Sequence, residues 1–153
     1  RTYGTRYVIV RPTNNYGVGQ YVEKLIPKTV KYLKLGRKIP LHNQGTPVRT
    51  WLHAKDTADA ILAIIDSKVE NQTYNISGNY EDQNINVVKK IIDLVSPTTD
   101  HEKYLDLGIV RAGQDVRYSI NDSKLKDLGW SPQCDFDTEL EEITKYYCDN
   151  FIW

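Results

Sequence analysis

Apolar residues along this 153-residue chain fall into short runs and stripes whose spacing alternates between that of a strand and that of a helix. Residues 6–11 carry three β-branched side chains in a row, Val8, Ile9 and Val10, and Pro12 stops the run. A continuous apolar run of this kind predicts a parallel strand buried on both faces. Asn14-Asn15-Tyr16-Gly17 then reads as a loop at the C-terminal end of that strand. Residues 23–35 predict a helix with Leu25, Val30 and Leu33 on one face and Gly36 as its C-terminal cap. Residues 39–42 and 48–53 predict short strands around an Asn43-Gln44-Gly45 turn. A second helix is predicted from Asp56 to about Ser67, with Ala60, Ile61, Ile64 and Ile65 as its apolar stripe.

Residues 73–76 predict another strand, stopped by Ser77-Gly78, and residues 87–95 a helix with Val88, Ile91, Ile92 and Val95 inward. Residues 109–111 and 117–120 read as short extended pieces, and 122–128 as a small helix closed by Gly129. The last helix is predicted over 137–150, with Leu140, Ile143, Tyr147 and Phe151 inward. This alternation of strands and helices predicts an α/β fold. The path from Val8 through Ala60 to Tyr74 suits one crossover between parallel strands. Two buried strands make a poor sheet alone, so the sheet is expected to continue in residues that this chain lacks.

Composition narrows the function classes. Lys plus Arg and Asp plus Glu each number 20, so the net charge is zero and nothing favours nucleic acid or a membrane surface. The longest apolar runs, such as 60–65, are far too short to span a bilayer. No signal-peptide pattern opens the chain, and a cytoplasmic location is expected, with Cys134 and Cys148 as free thiols. The first residue is Arg1, not Met, which is expected of a processed or partial chain.

Several familiar kinds of chemistry find no support. Gly17-Val18-Gly19 lacks the third glycine of a dinucleotide loop, the cysteines and histidines show no metal-ligand spacing, and Ser77-Gly78 is not a nucleophile elbow. What remains is polar residues at strand ends and in loops: Asn14, Asn15, Lys24, Arg49, Asn84, Arg111, Asp115 and Arg117. Ligands of open α/β sheets bind beyond the C-terminal ends of strands, which places Asn14 and Asn15 well. Taken singly, each has a plainer reading. Asn84 could cap a helix, Lys24 could be solvated, and Arg49 could stack on Trp51. Arg111 and Arg117 could pair with Asp115, and His53 and His101 could have no role.

A resemblance emerges from motifs in register. Asn14-Asn15-Tyr16-Gly17, Glu23-Lys24-Leu25-Ile26-Pro27 and Gly36-Arg37-Lys38-Ile39-Pro40 come first. Gly45-Thr46-Pro47-Val48-Arg49-Thr50-Trp51-Leu52-His53, Thr73-Tyr74-Asn75-Ile76 and Asn84-Ile85-Asn86-Val87-Val88 follow. Arg111-Ala112-Gly113-Gln114-Asp115-Val116-Arg117-Tyr118 and Leu128-Gly129-Trp130 complete the series. The order resembles the dTDP-glucose 4,6-dehydratase family of extended short-chain dehydrogenases over nearly the whole chain.

That resemblance implies the last strands of a Rossmann-like parallel sheet, near 6–12 and 73–78, plus a small substrate-binding lobe from 23–47 and 84–150. It implies that Asn15 contacts NAD near the nicotinamide and Asn14 the substrate. Lys24 and Leu25 would touch the nucleotide diphosphate, and Pro40, Leu41 and His42 would line the base pocket. Arg49 and Arg111 would hold the pyrophosphate beside Asn84, with Ala112, Gly113, Gln114 and Asp115 closing over the nucleotide's ribose side. A guanidinium fork suits the paired oxygens of such a group. Four positions depart from the family's usual residues and bear on the choice of base: His42 for Tyr, Thr50 for Asp, Ala112 for Pro and Gln114 for His.

The family's Gly-rich NAD loop, its Thr-Asp-Glu group and its Tyr-x-x-x-Lys pair would all precede this chain. The family enzyme oxidises C4 of the sugar, eliminates water across C5 and C6 and returns the hydride to C6. By resemblance, this chain would therefore bind and orient the nucleotide sugar without carrying out the chemistry, and would be inactive alone. Its expected partners are the nucleotide-diphosphate sugar, an N-terminal NAD-binding half and, in the parent protein, a second copy in a homodimer. The alternatives are a nucleotide-sugar epimerase or decarboxylase of the same superfamily, or a non-catalytic nucleotide-sugar-binding fragment.

Overall fold

The computed structural model describes residues 3–150. Strand β1 (Val8–Pro12) pairs in parallel with β5 (Gln72–Ile76), and helix α2 (Ala54–Asp66) lies between them in sequence. Val8 and Val10 join Leu52, Ala60, Ile64, Tyr74, Ile76 and Trp130 in one apolar cluster. The strand is parallel as expected, but only one of its faces is covered, because Ile9 stays 46% exposed. The α2 stripe is likewise narrower than its sequence suggests. Ala60 and Ile64 are buried, whereas Ile65 faces solvent.

The Asn-Asn-Tyr segment is a strand, not a loop. Thr13 donates its amide to Ile76 at 2.9 Å. The chain then leaves β5, and β2 (Asn14–Tyr16) pairs in parallel with β4 (Val48–His53). β4 is the hub of this second sheet. It takes β6 (Tyr80–Gln83) antiparallel along its first four residues, and β8 (Arg117–Tyr118) in parallel at Val48 and Arg49. A third, two-stranded sheet joins β3 (Ile39–His42) to β7 (Leu105–Ile109) in parallel. Strand β6 has no sequence signal, and β7 starts four residues before the predicted extended piece at 109–111.

Helices α1 (Leu25–Lys34), α3 (Asn84–Val95) and α5 (Phe136–Asp149) pack together over Tyr16 and Trp51. Gly36, at φ 62, ends α1. It lets the Arg37 amide reach Tyr32 O at 2.9 Å and its own amide reach Leu33 O at 3.1 Å, the paired bonds of a Schellman cap. Asp135 caps α5 by accepting the Thr138 amide at 2.9 Å. Leu140, Ile143 and Tyr147 face inward as expected, while Phe151 lies outside the described residues. The short α4 (Ser123–Lys126) sets Leu125 under β5.

Helix α2 begins at Ala54, two residues before the predicted Asp56, and His53 caps it by accepting the Lys55 amide at Nδ1. The Asp56 carboxylate is buried and accepts the backbone amides of Gln133 and Cys134 at 2.9 and 3.2 Å, which ties the approach to α5 onto α2. Arg117 does not pair with Asp115. It forks onto Glu81 at 2.8 and 3.0 Å, and this holds the Glu81 carboxyl below its usual range. Both cysteines are free thiols. Among the described residues, no helix is long and apolar enough to cross a membrane.

Candidate nucleotide-sugar site

Parallel pairing of β2 with β4 sets Asn14 opposite Trp51 and Asn15 opposite Leu52. The starts of α1 and α3 reach the same place. A cavity of about 440 Å³ results, lined by Asn14, Asn15, Gln20, Lys24, Leu25, Arg49, Trp51 and Asn84. Its lining holds two cations and no carboxylate. Lys24 is the N-cap of α1, and Asn84 is the first residue of α3, its amide bound to Pro47 O. Neither helix has an acidic residue in its first turn, though the Asp82 carboxylate, outside the cavity lining, accepts the amide of Gln83, the N-cap of α3, at 2.7 Å. Two helix N-termini and a guanidinium together favour an anion with several oxygens.

The Arg49 guanidinium carries five N–H donors. One Nη1 donor goes to Val48 O at 2.7 Å, and Nη1 and Nη2 both reach Asp115 O at 3.1 Å. Nε–H and one Nη2–H remain, side by side on one edge, the spacing that matches two phosphate oxygens. Asn15 is more fully committed. Its Oδ1 accepts Thr57 Oγ1–H at 2.8 Å, and its Nδ2 donates to Thr13 O at 3.0 Å, which leaves one Nδ2–H.

Six of the residues expected from the sequence therefore line one cavity: Asn14, Asn15, Lys24, Leu25, Arg49 and Asn84. The others lie elsewhere. Leu41 is buried in the core with Ile39, Val88 and Ile92. Pro40 and His42 alternate with the buried residues of β3 and are half-buried. Arg111, Ala112 and Gly113 are exposed on the loop between β7 and β8, and Gln114 and Asp115 follow them there. Gln20, Trp51, Thr57 and Asn43 were not expected. Gln20 Nε2 donates to Asn15 O at 2.7 Å, yet Gln20 Oε1 and Trp51 Nε1 are buried without a partner among the described residues. Trp51 lies in a quoted motif and Asn43 in a predicted turn, but nothing local gives any of the four a place at the site; the β2–β4 register and the folding of distant loops bring them in.

A second cluster, His53, Cys134 and Glu139, has its candidate ligand atoms within 4.8 Å of one another. His53 Nδ1 already accepts the Lys55 amide at 3.2 Å and faces the Cys134 thiol at 3.4 Å. That assigns the ring proton to Nε2, which faces Glu139 at 3.5 Å. A neutral imidazole has one lone pair, so this ring offers none to a shared metal. Burial, with Asp56 and Glu139 adding, pushes the Cys134 thiol up to about 11, so it stays protonated near neutral pH. The cluster is a hydrogen-bonded part of the core between α2 and α5.

The model of the NAD dependent epimerase/dehydratase family matches residues 1–77, half of the chain. The chain belongs to that family. Among curated relatives, the dTDP-glucose 4,6-dehydratase of Haemophilus influenzae is 36% identical over 98% of this chain and 47% of its own length. A crystal structure of dTDP-glucose 4,6-dehydratase from Bacillus anthracis in complex with NAD is 38% identical, with a TM-score of 0.84 over 94% of this chain and 45% of that one. The Streptomyces venezuelae dTDP-glucose 4,6-dehydratase, solved with NAD bound, is 32% identical with a TM-score of 0.90 over 98% of this chain and 46% of that one. This member of the epimerase/dehydratase family thus spans about half the length of the curated relatives it matches.

Proposed function

We propose that this chain is the nucleotide-sugar-binding portion of an NAD-dependent NDP-glucose 4,6-dehydratase that makes NDP-4-keto-6-deoxyglucose. The observation that carries this reading is the cavity at the β2–β4 crest, where Lys24, Arg49 and two helix starts meet without an opposing carboxylate. In this reading the diphosphate lies across Arg49 and the α1 and α3 N-termini, and the sugar lies toward Asn14. Arg111 and the 112–115 segment cover the nucleoside side, next to Pro40 and His42. Asn15 offers its remaining Nδ2–H toward the nicotinamide end of NAD, and Thr57 fixes the amide's orientation for it. When bound, NAD would supply the hydride-carrier chemistry. What this chain's residues do is bind the diphosphate, orient the sugar and hold the amide of Asn15 in one rotamer.

Isothermal titration tests the reading. Thymidine diphosphate should bind the protein at one site, and Lys24→Ala should weaken it less than loss of Arg49, since a lysine at the rim is better solvated. No heat at millimolar nucleotide would overturn it. Incubation of the 153-residue chain alone with dTDP-glucose and NAD is expected to yield no 4-keto-6-deoxy product.

The same reading gives β1 a partner. Among the described residues, β1 pairs only with β5, which leaves its other edge open, and the face carrying Ile9 is about half exposed. A β-branched strand with an open edge is a template for pairing, and the NAD-binding half of the parent is the proposed occupant. Light scattering of the 153-residue chain alone is expected to show self-association. A stable monomer whose Val8–Val10 amides are protected without a partner would count against that docking edge.

A further inference from the structure

We infer that Asn43 is a positioning residue that straps the loop between β7 and β8 over the nucleotide; the inference rests on the function proposed above. Asn43 opens the turn Asn43–Gly45, in which three successive residues have positive φ, 48, 58 and 71. The turn cannot relax easily. A Cβ on Gly45 would sit 2.8 Å from Ile85 Cβ and 3.0 Å from the Ile85 amide nitrogen, so the turn is pressed against the start of α3. The side chain of Asn43 is thereby carried out toward a loop 68 residues away.

There it makes three bonds. Oδ1 accepts the Arg111 amide at 2.9 Å, and Nδ2 donates to Arg111 O and to Gln114 Oε1, both at 3.1 Å. The carboxamide thus holds both backbone polar groups of Arg111, as a neighbouring strand would. Farther along, Arg49 holds Asp115 O and the Val48 amide holds Val116 O at 2.8 Å. The loop itself contributes little packing. Val110 and Val116 are 84% and 80% exposed, and Arg111, Ala112 and Gly113 lie open to solvent. An exposed segment without an apolar anchor keeps its shape only through such bonds.

The strap has a consequence for binding. Arg49 grips the loop through Asp115 O and keeps its Nε edge for phosphate, so the loop and the diphosphate share one guanidinium. Asn43 fixes the other end, at Arg111, so the loop is ordered before ligand arrives. Without Asn43, ligand must order it, and apparent affinity falls by the fraction of time the loop is in place.

Asn43→Gly is the informative variant. Glycine tolerates the positive φ, so the turn survives while the carboxamide is lost. Asn43→Asp keeps an acceptor for the Arg111 amide but removes the donor to Arg111 O and Gln114. Hydrogen exchange across 110–116 should accelerate in Asn43→Gly, and the dissociation constant for thymidine diphosphate should rise about fivefold if the loop is in place about a fifth of the time. Saturating nucleotide should restore protection to the loop, which a general folding defect would not allow. In Asn43→Asp the Arg111 amide should stay protected while the amides near Gln114 speed up. Unchanged exchange in Asn43→Gly sinks the strap. Faster exchange with unchanged nucleotide affinity sinks its role in binding. A wild-type protein that binds no thymidine diphosphate overturns the functional reading instead, and leaves the exchange result to judge the strap alone.

Discussion

Gly78→Ala is expected to cost the protein at least about 3 kcal/mol of stability, at the upper end of what overpacking does. Gly78 follows β5 and lies against the backbone of β4, where the two sheets meet. A Cβ there would be 1.7 Å from Trp51 O, 2.5 Å from Trp51 C and 3.0 Å from Leu52 Cα. All three obstacles are main-chain atoms of a central strand, so no side chain can rotate away to make room. The strand would have to move, and with it the β2–β4 register that sets Asn14 and Asn15 at the cavity. Against a typical total of about 5–15 kcal/mol, the loss is large. Thermal unfolding followed by circular dichroism should show the midpoint falling by roughly 10 °C. Gly108→Ala is the control, because its Cβ would lie 3.5 Å from Asp106 Oδ1, an ordinary contact. A midpoint for Gly78→Ala equal to that of the control would mean that the two sheets can separate there at little cost.

Arg49→Ala is expected to weaken thymidine diphosphate binding by about 2–5 kcal/mol, the cost of removing one partner from a desolvated charge pair. In dissociation constant that is a factor from about 30 to several thousand. Two losses combine: the free Nε edge for phosphate, and the grip on Asp115 O that holds the β7–β8 loop. Arg49→Lys should recover little, since an ammonium cannot hold the carbonyl and present a two-pronged edge together. Arg111→Ala should cost only about 1 kcal/mol, because that side chain sits in solvent on the loop. Titration calorimetry separates these cases. Equal affinities for wild type, Arg49→Ala and Arg111→Ala would take both arginines out of the site.

The sequence carried the α/β class, and for the helices most of their extent. Apolar stripes at helical spacing in 87–95 and 137–150 survive any packing that gives them one buried side, and Gly36 ends α1 because its backbone is free to adopt φ 62. It also carried the family, through eight short motifs in register, and with it six of the eight residues that line the cavity. What it could not carry are features decided by partners far along the chain. Tyr80-Glu81-Asp82-Gln83 is poor strand material, and becomes β6 only because β4 pairs with it and Arg117 neutralises Glu81. Asn14-Asn15-Tyr16 has the composition of a turn, and is drawn straight by β4. Ile9 belongs to an apolar run but, among the described residues, one face of β1 is left uncovered, and Ile65 completes a helical stripe wider than the surface it packs on. Asp56 is where the sequence starts a helix, yet its carboxylate is used on amides 77 and 78 residues away. Thr57 and Gln20 are polar residues with no local signal, and the turn at Asn43 gives no hint of the loop it holds. Local pattern sets which segments are helix or strand, because backbone preference and one apolar face act over a few residues. Which hydrogen-bonding groups then find one another is settled only when the chain closes on itself, since each must be satisfied by whatever the fold brings within about 3 Å.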